Sequence, residues 1–386
     1  MFPLLLAVIY LAFISLGLPD SLLGSAWPVM GPSLGVPLSY AGILTMIASA
    51  GTIASSLLSG RLIRRFGTGV LTAVSVGMTA AALLGYSLTG AFWLLCLFSI
   101  PYGLGAGAVD AALNHYVALH YSSRHMSWLH AFWGVGVTIS PNIMGFALAA
   151  GQGWQSGYRT VALLQAGLTA LLFLTLPLWD RHVKQGEASR ARALSIRESL
   201  RIPGVPYALI AFFAFCALEA TAGLWAGSWL VLHRGVSAET AARFTSLFYL
   251  GETAGRFLNG FAANRFGDRK MIRAGILVMM GGAVLLLLPL KSDVPALAGL
   301  VVLGFGAAPI YPSIIHSTPE NFGRDNAQSL VGIQMASAYM GVTLMPPLFG
   351  LIAQHIHIGL YPPYLAAFTA VMLVMTARLN RTARGG

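Results

Sequence analysis

The chain reads as long apolar runs separated by short polar interruptions. A hydrocarbon layer about 30 Å thick is crossed by roughly 20 helical residues, and apolar runs of that length recur from one end of the chain to the other. They predict twelve crossings, near 4–30, 39–60, 69–89, 92–118, 127–150, 158–179, 205–232, 241–261, 271–290, 294–316, 326–353 and 359–378. The first run has no basic start and stays apolar beyond any small-residue cleavage position, so it reads as a retained helix and not as a signal peptide. Between Trp179 and Gly204 the sequence turns polar and basic. This divides the chain into a six-helix bundle at 1–180, a cytoplasmic linker at 181–203 and a second six-helix bundle at 204–386.

Composition agrees with that pattern. Of 386 residues, 56% are hydrophobic and 9% charged, with a mean hydropathy of +0.74, whereas about a quarter of a soluble domain is charged. The net charge of +11 would suit nucleic acid if the cations were clustered on a soluble face. Instead, with both termini cytoplasmic, 18 of the 23 Lys and Arg fall in cytoplasmic connections and the C-terminal tail. That bias predicts a multi-pass protein of the cell (inner or plasma) membrane, and no nucleic-acid partner. Cys96 and Cys216 both fall inside predicted helices and imply no disulfide framework.

Comparing the chain with itself exposes a repeat. Asp20 and Gly24 align with Glu219 and Gly223 at a shift of 199, and "GRLIRRFG" (Gly60 to Gly67) with "GFAANRFG" (Gly260 to Gly267) at 200. "GLG" (Gly103 to Gly105) aligns with "GFG" (Gly304 to Gly306) at 201, a shift that also sets His115 against His316. "GVTISPNIMG" (Gly136 to Gly145) aligns with "GVTLMPPLFG" (Gly341 to Gly350) at 205. Transporters are often built from such repeats, with the substrate site at their interface. Twelve helices in two parallel halves, with "GFAANRFGDRK" after the eighth span and "GRLIRRFGTGV" after the second, resemble the major facilitator superfamily and its G-x-x-x-D-R-x-G-R-K loop. Asn264 and Arg64 stand where that loop has its first Asp. The resemblance implies an all-α integral membrane protein of two pseudo-symmetric bundles, with Gly60, Arg64, Arg65, Gly260, Arg265, Gly267, Asp268 and Arg269 in cytoplasmic loops that help hold the halves together.

Four carboxylates, Asp20, Asp110, Glu219 and Glu252, fall inside predicted spans. Charge at membrane depth is costly and usually faces a cavity or a partner, so these four are candidates for proton or substrate handling. Asp20 follows Pro19, whose missing N–H frees a carbonyl of the preceding turn, and Gly24 lies one turn on. In the fourth span Gly103, Gly107, Asp110 and Asn114 form one stripe, the glycines suiting either close helix packing or substrate access. Glu252 and Arg256 are spaced i, i+4 and can pair within one helix, a structural or gating contact.

The resemblance narrows to the fucose permease branch. That branch has an aspartate in its first helix, G-x-G-x-x-E-x-x-x-N in its fourth, and a glutamine followed by F-N-x-F-G in its fifth. Here stand Asp20, then Gly105, Gly107, Asp110 and Asn114, then "HAFWGVG" from His130 to Gly136, with His130 replacing the glutamine and Trp133 the asparagine. The resemblance implies that Asp20 and Asp110 couple protons and recognise sugar; Glu219, the repeat-mate of Asp20, joins them as a proton-coupling candidate. Sugar hydroxyls need acceptors and amides beside a flat aromatic ring, and Asn114, His130, Trp133, Trp225, Tyr311, His316 and Gln334 join Asp20 and Glu219 as substrate-binding candidates.

Two other readings compete. Ser140, Pro141 and Gly145 give part of the G-P-x-x-G-G pattern of efflux antiporters, without its paired glycines. For an enzyme, His115, His120, His125 and His130 suggest a metal, but steps of five turn about 140° on a helix and build no single ligand face. No cofactor motif is present. The sequence therefore predicts a monomeric secondary transporter, not an enzyme, working by alternating access in the bilayer. Its predicted task is proton-coupled uptake of a monosaccharide or similar polar solute, with proton-driven efflux as the alternative.

Overall fold

The computed structural model describes residues 2–121, 123–179, 196–290 and 292–382. The predicted linker therefore lies mostly outside the described residues, as do the side chains of 260–264, which include Gly260 and Asn264. The described chain is helical throughout, with no strand among the described residues. The long helices are α1 (Phe2–Asp20), α2 (Leu22–Ser33), α3 (Ala41–Phe66), α4 (Thr68–Leu88), α5 (Phe92–His120), α6 (Ser123–Ala149) and α7 (Gly153–Leu174). After the short α8 (Ile196–Arg201) follow α9 (Val205–Leu232), α10 (Ala238–Phe266), α11 (Asp268–Leu287), α12 (Val294–Ala307), α13 (Ile310–His316), α14 (Thr318–Phe322), α15 (Arg324–Ile352) and α16 (Tyr361–Thr382).

Among the described residues, ten stretches are long and apolar enough to cross a membrane. One of them, Leu330–Thr382, is 53 residues long and contains most of α15 and all of α16, which makes two crossings. Helix α10 has the length, 29 residues, but carries Glu239, Arg243, Glu252, Arg256 and Arg265. With that second crossing and α10, the ten stretches become the twelve predicted crossings.

Packing divides the chain into two compact units. One comprises Met1–Val183 with Gly223–Leu250 and Pro347–Gly359; the other comprises Lys184–Ala222, Gly251–Pro346 and Leu360–Gly386. The internal repeat is visible inside each. In the first unit a β-carbon on Gly136 would lie 2.1 Å from the Ile14 carbonyl oxygen and 2.9 Å from the Leu18 nitrogen, so α6 crosses α1 backbone to backbone. In the second, a β-carbon on Gly341 would lie 2.6 Å from the Phe213 oxygen and 3.1 Å from the Ala217 nitrogen, the counterparts of those atoms at the shift of 199. Gly51 on the Leu104 nitrogen, 2.9 Å, is matched by Gly251 on the Phe305 nitrogen, 3.0 Å. The loops repeat as well. Gly67 and Gly267 end α3 and α10 with φ of 80° and 77°, a region open to glycine, and Arg65 lies over Phe66 as Arg265 lies over Phe266.

These contacts set a stability prediction. Gly136→Ala, which forces the α1·α6 crossing apart, lowers stability by about 1–3 kcal/mol. Gly167→Ala, where an added β-carbon meets nothing within 4 Å, raises it by roughly 0.5–1 kcal/mol. Thermal unfolding of the two purified variants in the same detergent checks both signs.

Candidate functional site

The first span is interrupted at Asp20: α1 ends there and α2 restarts at Leu22, with Ser21 between them. Pro19 has no N–H to offer the Ser15 carbonyl four residues back. That oxygen instead accepts from Gln165 Nε2 at 2.7 Å, and Gln165 Oε1 accepts from Thr79 Oγ1. The neighbouring helix α6 repeats the arrangement. Pro141 releases the Val137 carbonyl, which accepts from Ser21 Oγ at 2.7 Å, the same hydroxyl standing 2.7 Å from Ser140 Oγ. Two carbonyls freed by prolines, one beside the α1–α2 break and one within continuous α6, are thus met by side chains from elsewhere in the fold, and Asp20 sits beside the first.

Its carboxylate is exposed although it lies within a membrane-spanning stretch. Trp133 Nε1 donates to Oδ2 at 2.8 Å, and Tyr102 Oη donates to Oδ1 at 2.8 Å. The indole reaches because α1 and α6 are so close: a β-carbon on Gly17 would lie 2.2 Å from the Trp133 carbonyl oxygen. Among the described residues, no Lys, Arg or His forms an ion pair with Asp20. The carboxylate is held by neutral donors, so it can gain a proton without stranding a cation.

Asp110 follows Tyr102 by eight residues, about 12 Å along α5. Asn114 Nδ2 donates to Asp110 Oδ1 at 2.9 Å and to its carbonyl oxygen at 2.9 Å, so the predicted acid and amide meet. The glycines of that stripe serve packing. Gly103 and Gly107 lie against α3, where Thr52 and Ser56 donate hydroxyls to their carbonyls at 3.2 Å. His130, one turn before Trp133, stands edge-on to Phe13 with ring centroids 5.8 Å apart.

In the second unit the repeat-mate of Asp20 has different company. Arg256 Nη2 donates to Glu219 Oε1 at 3.2 Å and also to Glu252 Oε1. Glu252 is 1% exposed, and two carboxylates here share one guanidinium. The other predicted residues of this unit find partners within it. Tyr311 Oη donates to Met335 Sδ at 3.2 Å, and buried Gln334 accepts from Thr318 Oγ1 at 2.9 Å. His316 Nδ1 lies 2.7 Å from Asp268 Oδ2, and Arg269 Nη2 donates to Asn321 Oδ1 at 3.1 Å. Gly60, Arg64 and Arg65, expected in a loop, lie instead in the last turns of α3 and are exposed, as Arg265 lies at the end of α10 and Asp268 and Arg269 at the start of α11; Gly67 and Gly267 alone separate these helices.

At the end of the first unit away from the Gly67 turn, spans from both parts of the sequence pack together inside that unit. A β-carbon on Gly24 would lie 2.3 Å from the Gly223 carbonyl oxygen, so the glycines one turn after Asp20 and Glu219 touch each other. Gly42 lies on Pro347, Gly145 on Arg243, and Gly350 on the Trp225 ring. Trp225 is therefore buried in this packing, edge-on to Phe349. Sequence reasoning did not single out Tyr102, Gln165 or Ser21. For the last two a signal existed, since each proline marks a carbonyl that some side chain must meet; nothing distinguished Tyr102 from the other aromatics of an apolar helix.

The family model described as Major Facilitator Superfamily matches residues 9–245 and 207–383. Among curated relatives, "Bypass of stop codon protein 6" of Saccharomyces cerevisiae is 21% identical over 91% of this chain and 77% of that protein. An uncharacterized MFS-type transporter of Yersinia pestis is 24% identical over 83% of each chain. Among solved structures, a mutant of the nucleoside transporter NupG superimposes with a TM-score of 0.79 at 14% identity, covering 97% of this chain and 98% of that one. A bacterial homolog of the human lysosomal transporter Spinster, inward-facing and occupied, gives 0.70 at 13% identity, over 99% and 95% of the two chains. At such identities these likenesses concern the fold.

The Glu219–Arg256–Glu252 cluster sets a second prediction. Arg256→Gln leaves buried Glu252 without its counter-ion and destabilises by about 3–5 kcal/mol, while the double variant Glu252→Gln/Arg256→Gln recovers part of that loss. Chemical denaturation of the detergent-solubilised variants at neutral pH measures both.

Proposed function

The chain belongs to the Major Facilitator Superfamily, and from that premise we propose that it carries a small, neutral, hydroxyl-bearing solute, a monosaccharide or a chemically similar polyol, together with a proton. It is a multi-pass membrane transporter and not an enzyme. The observation that carries the finer reading is Asp20: an exposed carboxylate inside a membrane span, held only by the neutral donors Tyr102 and Trp133 among the described residues.

The chemistry follows from those contacts. A solute hydroxyl competes with Tyr102 Oη and Trp133 Nε1 for the carboxylate oxygens, and the indole supplies a flat face for the solute's apolar side. A proton taken up by Asp20 turns an acceptor into a donor, so loading changes what the site can bind. Asp110 with Asn114 offers a second acid and amide further along α5. Glu219 is proposed as the matching acid of the second unit, its charge held by Arg256 in a pair with structural or gating weight. That the fold neighbour NupG is a nucleoside transporter fits this reading, because a nucleoside is also a neutral solute, with hydroxyls on its sugar beside a flat base. The Arg-rich helix ends at 61–65 and 265–273 are proposed to face the cytoplasm, with both termini, a reading the charge bias supports.

Proteoliposomes with an imposed pH gradient test the proposal against a panel of hexoses, pentoses, nucleosides and organic cations. The expected result is gradient-driven accumulation of a neutral polyol, abolished in Asp20→Asn and Asp110→Asn, with at least one of them still exchanging solute. Unchanged accumulation in both variants sinks the coupling assignment, and export of organic cations favours proton-driven efflux. Trp133→Phe, which removes one donor and keeps a ring, weakens solute affinity roughly three- to tenfold, the equivalent of one hydrogen bond; equilibrium binding to the purified protein measures it.

A further inference from the structure

The second unit contains a cavity of about 480 Å³ that the transport proposal does not use. Its walls come from α9, α11, the α13–α14 turn, α15 and the end of α16. Three of its lining residues are Arg269, Arg273 and Arg381, and no Asp or Glu lines it. Two acids adjoin lining residues in sequence: Asp268, engaged by His316 at 2.7 Å, and Glu320, which is exposed and not among the lining residues. Arg269 Nη2 donates to Asn321, while its Nε is buried without a hydrogen-bond partner. Arg273 and Arg381 are exposed. The rest of the lining is largely apolar, with Ile272, Phe322 and Leu379 among it.

Three guanidiniums without a lining carboxylate form a site for an anion, and their planar forks suit phosphate oxygens. The location sharpens this. Arg269 and Arg273 lie in the first turns of α11 and Arg381 in the last turn of α16, at helix ends, where lipid headgroups meet a spanning protein. A basic pocket between spanning helices, backed by an apolar wall, has the chemistry of a headgroup site. A compact soluble anion would leave that wall wet; a phospholipid covers it with its acyl chains. We propose that this cavity binds the phosphate of an anionic phospholipid, with Arg269, Arg273 and Arg381 on the headgroup and the apolar wall on the chains. The site lies wholly in the second unit and is independent of which solute is carried.

The full-length protein in phosphatidylcholine nanodiscs doped with phosphatidylglycerol tests it, with retained lipid read by native mass spectrometry. The expected result is saturable retention of phosphatidylglycerol over phosphatidylcholine. Arg273→Gln/Arg381→Gln should weaken that retention by roughly tenfold to thirtyfold. The charge-matched control Arg159→Gln/Arg234→Gln, whose residues do not line the cavity, should leave it unchanged. No preference in the wild type overturns the proposal without any variant being needed, and an equal loss in the control overturns it in favour of diffuse charge attraction. Glycerol 3-phosphate is the competing probe: if it binds the lipid-free protein and displaces phosphatidylglycerol at equal concentration, the ligand is a soluble phosphate ester and the lipid assignment falls.

Discussion

In a hydrocarbon layer no water meets a stray backbone carbonyl, so every break in a spanning helix must be completed by another part of the protein. The architecture around Asp20 depends on meeting that demand twice. Pro19 and Pro141 each release a carbonyl, and Gln165 and Ser21 each answer one of them. Because Gln165 comes from α7 and Ser21 from the α1–α2 junction, the two proline sites tie α1, α6 and α7 together. An acid beside such a break gains room and an accessible face without the helix ends fraying. The site is a by-product of a solved packing problem, and that makes it rigid enough to aim Trp133 and Tyr102 at separate oxygens.

The duplicated halves share their scaffold and differ in their charges. Backbone crossings recur atom for atom, Gly136 on Ile14 and Gly341 on Phe213, as do the glycine turns at 67 and 267. Yet Asp20 is held by neutral donors, whereas Glu219 shares a guanidinium with a second glutamate. Glycines that hold backbones together are locked by geometry in both copies; the side chains lining open space are free to diverge. One half holds an acid among neutral donors, and the other an acid tied into a charge network.

This division also explains what the sequence disclosed. The twelve crossings, the repeat and the four acids at membrane depth were legible because each violates the surrounding apolar pattern or reproduces it at a fixed shift. The i, i+4 spacings gave Asp110 with Asn114 and Glu252 with Arg256, since partners on one helix turn are set by the helix itself. Contacts between helices were not legible. Tyr102 looks like any aromatic in an apolar run until α5 is seen beside α1, and the pairing of His316 with Asp268 joins positions 48 apart that no periodicity links. The three arginines of the cavity come from two helices separated by about a hundred residues. Each reads alone as one more cation of a basic loop.

The contact of Gly24 with Gly223 and Gly227 consists of backbone against backbone. It carries no titratable group and no ion pair, so neither proton concentration nor ionic strength acts on it directly. Packing at that point is a question of fit alone: two helices either nest to van der Waals contact or they do not. A contact of that kind does not loosen by degrees: parting it takes a tilt of whole helices.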